Sequence, residues 1–220
     1  MWWAIPVSAV IGYLIGSIQF GLIVGRITRG VDIRDYGSGA TGATNVIRTS
    51  GAKAGVLVIA LDIAKGAAPF YAGVLIGHAA GLDYNELAWC AAAGAFMAVC
   101  GHVWPLYAGF RGGKAVASGY GGALAMNWMA SLAMLPVALV IVATTRIMSL
   151  MSIMMGPLLA LFFIILAFMG IMPAAYAVYA VGSSAIIVFR HRANIGRLLA
   201  GTEPRIGKGG EKRAPDAAAG

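Results

Sequence analysis

The chain has 220 residues, of which 60% are hydrophobic and only 11% charged, and a mean hydropathy of +0.83. A soluble domain of this length could not hide so much apolar surface from water, so the solvent is a bilayer and the expected fold class is an all-α, polytopic integral membrane helical bundle. The net charge of +8 comes from cations that neither cluster on one amphipathic face nor alternate with exposed aromatics, which excludes a nucleic-acid partner.

The first apolar run, 2–24, has no basic segment ahead of it and no clear small-residue cleavage site, so it is expected to remain as a span rather than be removed as a signal peptide. Runs 54–76 and 87–108 supply the second and third spans. Cys90 and Cys100 lie ten residues apart on the third, about 15 Å along the axis, which is too far for a disulfide and leaves both as packing residues. The long tract 115–189 holds either two or four further spans. Arg146 favours four, since a charge near the bilayer centre costs roughly 2.5–3.5 kcal/mol and belongs at a cytoplasmic end. The reading is 115–129, 131–146, 149–169 and 172–189, for seven spans in all, with five as the alternative. Segments 26–53, 109–114 and 190–220 carry the cations and are expected to be cytoplasmic. Segment 77–86 carries none and lies outside, which puts the N-terminus outside and the C-terminus in the cytoplasm. Residues 1–201 form one membrane-embedded domain, and 202–220, rich in Gly, Lys, Glu, Pro and Ala without apolar period, reads as a disordered cytoplasmic tail.

Three polar islands interrupt this apolar chain on the same side. GSGATGATNVIRTSG, 37–51, combines Gly37, Gly39 and Gly42, which let the backbone turn and present N–H groups, with Ser38, Thr41, Thr44, Asn45 and the planar fork of Arg48. Alone it is as compatible with a solvated loop as with a phosphate cradle. GHVWPLYAGFRGGKAVASG, 101–119, repeats the mixture with Gly112, Gly113, Lys114 and Ser118, though Arg111 and Lys114 also suit headgroup anchors. In HRANIGRLLAGTE, 191–203, a helical spacing of three places His191 and Asn194 on one face, looking into one cavity, while Glu203 suits a structural partner for a nearby cation. Asp62 and Lys65, three apart inside the second span, are expected to pair with each other or with the islands, and a structural or a direct substrate role both stay open. The three histidines, 78, 102 and 191, are scattered, and no metal or other cofactor is expected.

The three islands, with LDIAKGAAP at 61–69, resemble in order and spacing the signatures of the bacterial membrane acyl-phosphate:glycerol-3-phosphate acyltransferases, the PlsY type, over about 20–205. The resemblance implies transfer of an acyl group from acyl phosphate to glycerol 3-phosphate, giving lysophosphatidic acid and phosphate in the first committed step of phospholipid synthesis. It implies catalytic or phosphate-binding roles for Ser38 and Arg48, with Thr44 and Asn45 beside them. It further implies substrate binding by Gly112, Gly113 and Lys114, roles in activity for His191 and Asn194, and a structural one for Glu203. The implied partners are the two substrates, membrane lipid and the upstream enzyme that makes acyl phosphate. The implied location is the bacterial inner membrane, with the active site facing the cytoplasm. His191 and the departing phosphate are alternative acceptors for the hydroxyl proton. His78 and Asp83 fit the His-x4-Asp spacing of acyltransferases that use acyl-CoA or acyl carrier protein, but fall in the outer loop. A transporter of a phosphorylated solute is the competing class.

Overall fold

In a computed structural model, which describes residues 2–213, regular structure is helical throughout and no strand occurs among those residues. The chain opens with α1 (Ala4–Gly16) and α2 (Phe20–Arg29), broken at Ser17–Gln19. Together they make one of five apolar helical stretches long enough to cross a bilayer. The others are α4 (Ala52–Ala79), α5 (Tyr84–Val103, continuing to Ala108), the pair α7 (Trp128–Ala133) and α8 (Leu135–Thr145), and α9 (Met148–Phe168). A shorter apolar helix, α10 (Ala174–Arg190), and the glycine-bearing α6 (Val116–Met126) fall where spans were expected. Two polar helices, α3 (Ala43–Ser50) and α11 (Arg192–Leu199), lie in the first and third islands.

Lipid gives no hydrophobic drive for helix association, so small residues that let backbones meet take over that role. Gly12 and Gly16, four apart on α1, stack against Gly94 and Ala98, four apart on α5. A Cβ on Gly12 would stand 2.0 Å from the Gly94 carbonyl oxygen, and one on Gly16 would stand 2.2 Å from that of Ala98. The main apolar core lies among α4, α5, α6, α9 and α10, around Phe70, Val99, Phe163 and Tyr179. At its N-terminal end α5 begins with a capping box in which Asp83 accepts from the Asn85 and Glu86 N–H groups, each at 2.9 Å, and Glu86 accepts from the Asp83 N–H at 3.2 Å. Asp83 is thus a helix cap, and His78, exposed at the end of α4, sits away from the islands.

A second, smaller core positions the first island. Leu22 and Val24 of α2, Ile33, Val46 of α3 and Val58 of α4 pack together, so α2 and α3 lie across the start of α4 with their apolar faces inward. An arginine bridge from Arg29 to the Thr49 carbonyl ties α2 to α3.

The described part of the expected tail makes defined contacts. Residues 202–213 are held by backbone pairing, with an antiparallel bridge between Tyr36 and Lys212, and by the buried carboxylate of Glu203. A polar segment without an apolar period has no core to join, but the open backbone groups of the first island offer it partners instead. Residues 214–220, the rest of the expected tail, lie outside the described residues.

Candidate active site

The first island is folded around one side chain. Asn45, 1% exposed on the first turn of α3, accepts the Ser38 N–H at 3.1 Å. Its amide donates to the carbonyls of Ile33 (2.8 Å), Tyr36 (3.1 Å) and Ala40 (3.0 Å). Gly37 and Gly39 bring the loop over it with φ of +53° and +68°. A Cβ on Gly37 would stand 2.4 Å from Asn45 Oδ1, so glycine is required there by space as well as by conformation. Asn45, expected as a substrate ligand, lines the cavity and at the same time clamps the loop that Gly37 and Gly39 carry over it. Ser38 is left exposed on the rim. Replacing Asn45→Asp keeps the size but turns a carboxylate toward three carbonyl oxygens, which leaves all four groups unsatisfied or repelled. We expect a lower melting temperature in detergent and product formation down about tenfold or more; wild-type stability in this variant would contradict the clamp.

The second island forms a seat. Gly113 donates its N–H to the His102 carbonyl at 3.0 Å, and a Cβ on Gly112 would stand 2.1 Å from that same oxygen. Ser118 is fully buried, with Oγ 3.2 Å from His102 Nδ1. Gly112, Gly113 and Ser118, expected at the substrate, are buried against the end of α5 rather than in the cavity wall. Their consequence is the placement of Lys114, which the left-handed turn at Ala115 (φ +58°) sets at the start of α6.

The third island completes the ring. Lys114 donates to Asn194 Oδ1, and Asn194 in turn donates to Glu203 Oε1 at 2.6 Å. Ser149 donates to the same oxygen at 2.7 Å and Arg197 Nε to Glu203 Oε2 at 2.7 Å. Glu203 is the partner of a cation, as expected. Burial pushes its carboxyl up, but the hydrogen bonds from Ser149, Asn194 and Arg197 outweigh that and leave it below the usual range. Burial lowers Lys114 to about 8; Glu203 opposes the fall, while Arg197, Arg48 and Arg190 add to it. Burial also lowers His191 to about 4, with Lys114 as the next cause. The imidazole is therefore neutral at pH 7. Its Nδ1 lies 2.8 Å from the Ile187 carbonyl, which can only accept, so Nδ1 carries the hydrogen and Nε2 is the free acceptor.

These groups converge on one cavity of about 360 Å³. Its loop end is lined by Ser38, Gly42, Thr44, Asn45, Arg48, Lys114, His191, Asn194 and Glu203. Its other walls are apolar: Ile59 and Ile63 of α4, Ala123 of α6, Leu135 and Ala138 of α8, Met151 and Leu159 of α9, and Tyr179 and Ile187 of α10. From His191 to Tyr179 the lining follows α10 for twelve residues, about 18 Å. Burial draws the Arg48 guanidinium down from its ordinary range, with Glu203 opposing.

Asp62 and Lys65 do pair, at 3.0 Å, and both are buried. Lys65 also donates to the Ile18 carbonyl at 2.6 Å, in the break between α1 and α2, and Asp62 reaches the cavity wall. Three contributors had no assigned role in the sequence. Ser149 and Ser152, in a Met-rich stretch that reads as packing, line the cavity. Gln19, inside the first apolar run, accepts from Thr41 and donates to the Ser17 and His102 carbonyls, each at 3.4 Å, so it joins the first two islands. The cost of burying an unpaired amide in a bilayer was the signal available for Gln19.

Residues 6–201 match the family model described as glycerol-3-phosphate acyltransferase. The chain is 41% identical over 201 residues to the glycerol-3-phosphate acyltransferase of Synechococcus sp. (strain CC9902), covering 91% of this chain and 94% of that protein. It is 43% identical over 201 residues to the enzyme of the same description from Prochlorococcus marinus (strain MIT 9313), with coverage of 91% and 94%. Among solved structures it resembles PlsY (YgiH), an integral membrane glycerol 3-phosphate acyltransferase, in its glycerol 3-phosphate form, with a TM-score of 0.79, 37% identity and coverage of 90% and 94%. The lysophosphatidic acid form of that protein matches with a TM-score of 0.77, 36% identity and coverage of 90% and 93%.

Proposed function

The chain belongs to the glycerol-3-phosphate acyltransferase family, and from that premise we propose that it transfers an acyl group from acyl phosphate to glycerol 3-phosphate at the cytoplasmic face of the bacterial inner membrane. One observation carries this reading: a single cavity joins a cationic, hydroxyl-bearing end to an apolar interhelical end. An acyl phosphate has that same division, with its phosphate suited to Arg48 and Lys114 and its chain to the walls between α4, α8, α9 and α10. A second phosphorylated substrate fits the same cationic end. The bundle crosses the membrane seven times, with α6 and α10 as short spans, the N-terminus outside and the C-terminus in the cytoplasm. The donor reaches the site from the enzyme that makes acyl phosphate.

Acyl phosphate is a mixed anhydride and already activated, so the protein has to align and to stabilise rather than to form an acyl-enzyme. The glycerol hydroxyl oxygen bonds to the acyl carbon, the bond from that carbon to the phosphate oxygen breaks, and inorganic phosphate leaves with the electron pair. Arg48 and Lys114 neutralise the phosphates, Ser38 and Thr44 donate from the rim, and Asn194 holds Lys114 in place. The hydroxyl proton passes to His191 Nε2, which neutrality at pH 7 leaves available.

Two ionisations bound the working range. Lys114 is cationic below about 8 and His191 neutral above about 4. The profile of kcat/KM should therefore fall as pH rises through about 8, where the phosphate loses its ammonium partner, and fall again as pH drops through about 4, where Nε2 takes a proton. Lys114→Arg should move the upper limb to higher pH, and His191→Asn should abolish the lower one. An unmoved upper limb in Lys114→Arg would remove Lys114 from the phosphate; a retained lower limb in His191→Asn would hand the proton to the departing phosphate.

The donor is tested by offering the purified protein labelled glycerol 3-phosphate with acyl phosphate, acyl-CoA or acyl carrier protein in separate reactions. Lysophosphatidic acid from acyl phosphate alone is expected. Product from acyl-CoA alone would overturn the donor assignment.

A further inference from the structure

The segment that follows the third island runs back across the first. Ile206 donates its N–H to the Arg146 carbonyl at 2.8 Å, at the end of α8. Gly207 and Gly209, with φ of +89° and +79°, turn the chain toward the loop of 36–42. There the Gly37 N–H donates to the Glu211 carbonyl at 2.9 Å, the Arg213 N–H donates to the Asp35 carbonyl at 2.8 Å, and Tyr36 and Lys212 form an antiparallel bridge.

This segment meets Arg48 at two points. An Arg48 guanidinium nitrogen donates to the Pro204 carbonyl at 3.4 Å. Gly210 lies against the backbone of Arg48, where a Cβ would stand only 2.4 Å from the Arg48 carbonyl oxygen. The match to the family model ends at residue 201, so these contacts come from chain beyond the matched part.

We propose that residues 204–213 are a positioning strap: they fix the Arg48 side chain and the Gly37–Gly39 loop in the arrangement that receives the phosphate of glycerol 3-phosphate. A long, flexible arginine in a cavity mouth loses rotamer freedom on gripping an anion, and a backbone already holding its guanidinium removes part of that cost beforehand. The loop's Gly37 N–H is likewise set by the strap rather than by the loop alone. The inference rests on Arg48 being a phosphate ligand.

Two variants test it without touching a residue of the cavity's catalytic ring. A chain ending at Arg205 keeps Glu203 and Pro204 but loses the bridge, while Gly210→Ala keeps full length and forces the strap off the Arg48 backbone. Both are compared with the full-length protein for amide hydrogen exchange at residues 36–50 and for the dissociation constant of glycerol 3-phosphate by titration calorimetry. Faster exchange around Gly37, with binding weakened roughly 3- to 10-fold in both variants, is expected. Unchanged exchange, or faster exchange with unchanged binding, overturns the strap. Neither readout needs turnover, so the acyl-transfer reading is judged separately by whether the full-length protein makes lysophosphatidic acid.

Discussion

Arg48→Ala is expected to lower kcat/KM for glycerol 3-phosphate by about 10²- to 10³-fold, the loss seen when one preorganised charge-stabilising donor is removed from a water-poor site. Arg48 is the residue of the first island that combines a permanent charge, partial burial and a place in the cavity wall. Its helix is anchored by Val46 and Asn45 on the buried face, so truncation removes the guanidinium without moving the backbone that carries it. Arg48→Lys retains charge but loses the planar fork that meets a phosphate with two parallel hydrogen bonds, and should fall between the two. Initial rates of labelled product across a range of glycerol 3-phosphate concentrations decide the matter. An alanine variant within threefold of the parent would remove Arg48 from the reaction.

The second large effect concerns stability. Breaking a buried ion pair by removing one partner costs about 3–5 kcal/mol, because the survivor is left charged and desolvated. Asp62→Ala strands Lys65 between α4 and the α1–α2 break, where the Ile18 carbonyl and the Phe20 ring remain beside it. We expect a large fall in the unfolding midpoint in detergent and loss of activity, since the break carries Gln19 and through it the first island. The double variant Asp62→Ala/Lys65→Met takes away both charges and fills the space with an apolar side chain. Most of the lost stability should return. Unfolding of the double variant at the temperature of the single one would show that the pair contributes through something other than its charges.

What could be read in advance was the composition of the site more than its division of labour. The apolar runs located the helices, and the three polar interruptions located the site, because a bilayer tolerates such groups only where they are satisfied or functional. The pairing of Asp62 with Lys65 followed from the same cost, and the shared cavity of His191 and Asn194 from helical spacing. Which polar group faces the ligand was another matter. Asn45 and Ser118 look like donors in a list of residues, yet one clamps its own loop and the other backs onto His102. Only the path of the chain distinguishes a side chain that satisfies its neighbours from one that waits for a substrate. Ser149 escaped notice for a related reason: its partner, Glu203, lies 54 residues away, and nothing local marks a serine in a methionine-rich helix. Residues 204–213 have the composition of a tail, and their contacts run mainly through backbone groups, which leave no trace in side-chain pattern.

We propose that one cavity holds the phosphate end and the acyl end of the lipid together. The measurement that tests it most directly is an experimental structure of this chain with lysophosphatidic acid bound. The phosphate is expected within hydrogen-bond reach of Arg48 and Lys114, with the chain running past Ile59, Leu159 and Tyr179 between the helices. A phosphate seated away from both cations, or a chain lying on the outer surface of the bundle, would contradict it.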